Sequence, residues 1–189
     1  MARITLAAFG DSLTEGYGLP AYSSFPAQLE RKLLEEGCNL EISNYGISGE
    51  TSADGLSRLA DVIESKPDAA YIEFGANDCF QLVDPEQIKL NIMAIIEAFQ
   101  EAHIPVILLG FMPMNFTPQS YALAFNSIFP DLAKKYNIPF YANLMEGLDE
   151  KPEYYQSDGI HPNNEGVSII VQNIFPLFKS FYEELTAEF

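Results

Sequence analysis

Residues 4–18 read ITLAAFGDSLTEGYG. Ile4 to Phe9 is an apolar run of strand length, Gly10 ends it, and an acid and a serine follow before glycines at 16 and 18. A short apolar run bounded by turn residues predicts a buried strand. A polar hydroxyl, Ser12, then sits at its lip. Taken alone, Ser12 reads as a turn residue, because serine and aspartate bond local backbone. Its meaning depends on what the other strands bring to the same edge.

Four more stretches read as buried strands: Leu40 to Tyr45, Ala69 to Phe74, Pro105 to Phe111, and a short one from Ile138 to Tyr141. Helical patterns lie between them. Ser24 caps a helix carrying Phe25, Leu29 and Leu33, with Gly37 just beyond its end. Asp84 and Pro85 start a second, whose face is Ile88, Ile92, Ile95 and Phe99. Thr117 and Pro118 begin a third, striped by Tyr121, Phe125, Ile128 and Leu132, with a kink or break expected at Pro130. A last helix follows Pro162 and is expected to be disturbed at Pro176.

Strands alternating with helices imply a parallel sheet covered on both faces. The fold class is therefore α/β, a three-layer α/β/α sandwich on a five-stranded parallel sheet. Ligands in such sheets bind outside the carboxyl ends of the strands. Ser12, Gly49, Asn77 and the loop Phe111 to Phe116 all follow strands, so all four fall on that edge. No internal repeat or linker interrupts the pattern, and residues 1–189 are expected to form one domain.

Composition sets limits on function. Apolar residues make up 48% and charged ones 20%, which suits a folded globular chain. With 27 acids against 10 bases the net charge is −17, which disfavours nucleic acid and anionic lipid as partners. Neutral or cationic small molecules are favoured. The two cysteines, Cys38 and Cys79, make neither a disulfide framework nor a metal knuckle. No secretory leader is visible at the N-terminus, so the chain is expected to be cytoplasmic or the mature form of an exported protein. The longest nearly apolar run, Ile104 to Met114, is too short to insert stably in a bilayer.

A serine hydroxyl becomes a useful nucleophile when a base takes its proton, and histidine is the usual base near neutral pH. Of the two histidines, His103 lies at a predicted helix end and is expected to be structural. His161 lies in the polar turn SDGIHPNN, with Asp158 three residues before it. That spacing lets a carboxylate reach the ring nitrogen that does not face the serine. Acyl transfer also needs donors for an oxyanion. Asn77, just past a strand, and Gly49, whose N–H can approach a substrate closely, are candidates, with Gly46 a nearby competitor.

GDSL at 10–13, ISGET at 47–51, GAND at 75–78 and DGIHP at 158–162 together resemble the four motif blocks of the SGNH, or GDSL-type, serine hydrolases. They occur in that family's order, and the likeness is greatest to its bacterial arylesterase and thioesterase I/lysophospholipase L1 branch. The resemblance implies a flavodoxin-like arrangement of the sheet. It also implies that Ser12 is the nucleophile, His161 the general base and then acid, and Asp158 the orienting carboxylate. The oxyanion donors it implies are the N–H groups of Ser12 and Gly49 and the side-chain amide of Asn77. Asp11 and Asp78 are expected to brace loops.

No G-x-S-x-G elbow, phosphate loop or complete dinucleotide fingerprint is present, and no cofactor or metal is expected. The segment around Phe111, Met112, Met114, Phe116 and Tyr121 offers an apolar wall for an acyl or aryl group. The expected substrate is a short-to-medium-chain or aryl ester, with a lysophospholipid or acyl thioester second. Two other readings stay open: an esterase of O-acetylated sugars, and a noncatalytic acyl-binding domain with a relic triad.

Overall fold

The apolar run at residues 4–10 forms a central strand of a five-stranded sheet. In chain order the strands are β1 (Ile4–Gly10), β2 (Leu40–Gly46), β3 (Ala69–Glu73), β4 (Val106–Leu109) and β5 (Phe140–Tyr141). They lie in the order β2-β1-β3-β4-β5, every pair parallel, which is the flavodoxin-like doubly wound order. The computed structural model describes residues 3–113, 116–149 and 151–187.

The helices are α1 (Ser12–Glu15), α2 (Phe25–Glu35), α3 (Ser52–Glu64), α4 (Ala76–Phe80), α5 (Pro85–Glu101), α6 (Gln119–Tyr136) and α7 (Asn164–Ala187). Helices α2 and α7 pack together on one face of the sheet, and α3, α5 and α6 on the other. Side-chain alternation along the strands feeds both layers. Tyr71 of β3 meets Phe25 of α2 and Phe178 of α7, with ring centroids 5.6 and 5.8 Å away. Phe9 of β1 meets Phe99 of α5 from the opposite face at 6.1 Å. The predicted face of α5, Ile88, Ile92, Ile95 and Phe99, is wholly buried.

Several local expectations change. Helix α3 was not singled out by apolar patterning, because its buried Leu59 and Val62 alternate with Arg58 and Asp61. Its signal is the capping box, in which Thr51 accepts from the Asp54 N–H while Asp54 accepts from Thr51. Helices α6 and α7 run through Pro130 and Pro176 without breaking. Both prolines are exposed, and so are Asn126 and Gln172 four residues earlier, so water can satisfy the carbonyls that lose their donor. Pro118, rather than Thr117, occupies the capping position of α6, and no side chain caps it. Strand β4 stops at Leu109 and β5 covers only two residues, because the chain at Gly110 turns onto Tyr141 and Leu144.

Cys38 and Cys79 are buried and form no disulfide. His103 follows α5 in a left-handed conformation, at the end of the sheet opposite the strand C-termini. Among the described residues no helix is long and apolar enough to cross a membrane.

Thr51→Ala removes the capping interaction that starts α3 and should lower unfolding stability by about 1 kcal/mol. Urea denaturation measures this; an unchanged midpoint would show that packing alone holds the start of the helix.

Candidate active site

Strand β1 ends at Gly10, and Asp11 then caps α1 by accepting the Leu13 N–H at 3.0 Å. This turn places Ser12 on the first residue of α1 with 9% of its surface exposed. The Ser12 N–H has no acceptor among the described residues, as expected at a helix start. Helix α1 leans on β2 at Gly46, where a Cβ would stand 2.1 Å from the Glu15 nitrogen.

His161 reaches the same point from the other end of the chain. Its Nε2 lies 3.0 Å from Ser12 Oγ, and its Nδ1 lies 2.6 Å from Asp158 Oδ2. The other Asp158 oxygen accepts the backbone N–H groups of Ile160 and His161 at 2.9 and 3.0 Å, which fixes the carboxylate within its own turn. Gly159, at φ 67°, lets that turn close. Gln156 fastens the turn to the serine's loop, donating from Nε2 to Tyr17 O at 2.7 Å and Pro162 O at 3.0 Å. The Tyr17 ring stands 4.6 Å from the imidazole, tilted by 40°.

The candidate oxyanion donors converge through one side chain. Asn77, at the start of α4, donates from Nδ2 to Glu50 O at 2.8 Å and to Asp11 Oδ2 at 3.2 Å. It therefore links the serine's turn to the 49–50 turn. Gly49 has φ 84°, and its N–H has no acceptor among the described residues. The competing Gly46 spends its N–H on Asn44 Oδ1 at 2.8 Å. Glu15 holds the same loop by accepting from both the N–H and the hydroxyl of Ser48. Arg58 ties it from behind, pairing with Glu50 at 2.7 Å and donating to Tyr45 O and Gly10 O at 2.8 and 3.2 Å.

The acids around the site behave differently according to their surroundings. Asp158, hydrogen-bonded by His161, is held down to about 2 from an ordinary 3.8. Asp78 is pushed up by burial, yet it accepts both the N–H and the hydroxyl of Ser52, at 2.8 and 2.6 Å, and so braces α3. Asp11 and Glu73 are pushed up by burial as well, Glu73 further because it also faces the Asp11 charge.

A cleft of about 700 Å³ opens beside Ser12 and His161, walled by Phe80, Phe111, Met112, Phe116 and Met145 among others. The Phe80 and Phe116 rings face each other at 6.2 Å and both are exposed. Tyr121 stands behind this wall, its hydroxyl on the Asp78 carbonyl at 3.4 Å and its ring stacked on Phe125. Met114 lies outside the described residues. Sequence reasoning passed over Glu73, Gln156 and Tyr17. Only Glu73 leaves a visible trace, as an acid at the end of the otherwise apolar strand AAYIE.

Residues 8–169 match the GDSL-like Lipase/Acylhydrolase family. An arylesterase of Vibrio mimicus is 33% identical over 162 residues, covering 85% of this chain and 80% of that protein. The thioesterase 1/protease 1/lysophospholipase L1 of Escherichia coli K12 is 33% identical over 171 residues, covering 89% of this chain and 80% of its own. The crystal structure of AlinE4, an SGNH-hydrolase family esterase, superposes with a TM-score of 0.81 at 36% identity, over 92% of this chain and 94% of that one.

A carboxylate with a depressed folded value contributes stability that is complete above its ordinary value and lost as the pH falls through the folded one. The Asp158–His161 contact should therefore persist down through pH 3.8 and fail near 2. An NMR titration of the Asp158 carboxyl is expected to find its midpoint near 2, moving back toward 3.8 in His161→Ala. An unshifted midpoint in the unsubstituted protein would contradict the contact.

Proposed function

The chain belongs to the GDSL-like lipase/acylhydrolase family, the SGNH hydrolases, and from that premise we propose that it hydrolyses carboxylic esters through an acyl-enzyme on Ser12. The observation that carries this reading is the hydrogen bond of 3.0 Å between Ser12 Oγ and His161 Nε2. As Oγ attacks the ester carbonyl, its proton passes to Nε2. Asp158, bonded to Nδ1, fixes the tautomer and stabilises the imidazolium. His161 then returns the proton to the departing alcohol. Water attacks the acyl-serine by the same route and releases the acid.

The negative oxygen formed in each half-reaction takes the Ser12 and Gly49 N–H groups and the Asn77 amide. Ser12 and Gly49 bring N–H groups with no competing acceptor among the described residues. Asn77 shares with that oxygen, as a three-centre bond, the hydrogen it donates to Asp11 over 3.2 Å, at the long end of the hydrogen-bond range. Asn77 bonds Glu50 O more tightly, and this keeps its nitrogen, rather than its oxygen, turned to the site. Asp11 and Asp78 brace this frame.

The proposed substrate is a short-to-medium-chain or aryl ester. Aromatic and methionine side chains line the cleft, and such walls accept flat rings and alkyl chains alike. The net charge of −17 works against polyanionic thioesters. Phe111, Met112 and Phe116 bind the acyl or aryl group, and residues 1–189 act as one hydrolase domain.

A panel of p-nitrophenyl esters of increasing chain length, run alongside a serine-directed phosphonate, tests the proposal. Stoichiometric labelling at Ser12 is expected, and Ser12→Ala should lose more than about 10³-fold in kcat while staying folded. Near-normal turnover by that variant would refute the nucleophile. Phe116→Ala should raise KM for the longer esters more than for acetate; an equal change across the panel would remove Phe116 from the acyl site.

A further inference from the structure

Two acids, Asp11 and Glu73, are buried directly beneath the nucleophile, and the proposed proton transfers use neither. Glu73 Oε2 accepts the Asp11 N–H at 3.3 Å and the Thr14 hydroxyl at 2.9 Å. The Thr14 oxygen in turn accepts the Tyr71 hydroxyl at 3.2 Å. Gly10 makes room for this group, since a Cβ there would stand 2.6 Å from Glu73 Oε2. Asp11 directs Oδ1 to the Leu13 N–H and Oδ2 to the Asn77 amide.

Among the described residues no lysine or arginine pairs with either acid. Arg58, which bonds the Gly10 carbonyl, pairs with Glu50 instead. Two adjacent carboxylates cannot both stay ionised in a dry site with no cation, so one keeps its proton. The bonding pattern indicates which one. Both Asp11 oxygens already accept N–H donors, as an ionised group does. Glu73 accepts twice at Oε2, once from the Asp11 backbone N–H itself, which leaves its other oxygen as the place for the shared proton.

We propose that Glu73 is a positioning residue for the reaction: un-ionised, it donates a hydrogen bond to the Asp11 carboxylate and keeps the charge beneath the oxyanion site at one rather than two. The kinetic consequence rests on the reading of Ser12 as nucleophile. A single charge on Asp11, drawn partly onto the Glu73 proton, orients the Asn77 amide without capturing its N–H. A second anion would tighten that hold and oppose the negative oxygen of the transition state. The other ionisable groups whose charge reaches the pair are Asp78 and His161, on the Asp11 side. Tyr71, below Thr14, is kept protonated by its burial.

The test uses the full chain with Glu73→Gln, which keeps a neutral donor, and Glu73→Leu, which keeps only the bulk. The Gln variant should retain kcat within about threefold of the unsubstituted protein. The Leu variant should lose at least about tenfold in kcat with little change in KM, a share of what one oxyanion donor is worth. Infrared spectra of the unsubstituted protein at neutral pH should contain the carbonyl stretch of an un-ionised carboxyl group, missing from the Gln variant. Absence of that band, or a Gln variant as impaired as the Leu variant, overturns the proposal. If the Leu variant does not fold, the band and the Gln variant decide. Activity in a Ser12→Ala control would sink the nucleophile assignment instead, and the band would still report the proton on Glu73.

Discussion

A hydrogen bond between two side chains 149 residues apart in sequence, Ser12 and His161, is the contact on which the site depends. Neither residue could hold it alone, because each sits on a short turn. The bond exists because the parallel order β2-β1-β3-β4-β5 sends every strand's C-terminal end to one edge, and because α7 returns to pack on α2 beside β1. Gln156 then sets the fine register, since one amide group bonds the carbonyls on both sides of the seam. The sheet brings the turns together, and a few buried polar side chains fix their separation.

Four carboxyl groups around this edge show how surroundings divide labour among identical chemistry. Asp158 is partly exposed, receives a hydrogen bond from His161 and stays ionised far into acid. Asp78 is buried but compensated by Ser52. Asp11 and Glu73 are buried with no paired lysine or arginine among the described residues and answer to each other. A chain with 27 acids and 10 bases thus concentrates its most constrained acids where the reaction is proposed to develop negative charge, so the distribution of their protons matters there.

The sequence made the fold class legible because the five strands are apolar runs and the helices between them carry strong caps such as Ser24 and Asp84. Ser12, His161, Asp158 and Asn77 stood out because each is a polar residue placed just past a strand or before a helix. Helix α3 escaped notice because its apolar stripe is diluted by charges, although Thr51 and Asp54 mark its start. The proline rules overstated the effect of Pro130 and Pro176, both of which face water. Gln156 and Tyr17 could not be read at all. The contacts that give them a role, Gln156 to the Tyr17 carbonyl and the Tyr17 ring to His161, join segments more than a hundred residues apart, so nothing local distinguishes them from ordinary surface residues.

The seam between the two ends of the chain also bears on how the protein is made. Strand β1, Asp11 and Ser12 leave the ribosome before the turn that carries His161. A growing chain that stops short of residue 158 therefore carries the hydroxyl without its imidazole or the helix that seats it. The proposed reactivity of the hydroxyl therefore waits on the turn that carries His161 and on α7, which follows it.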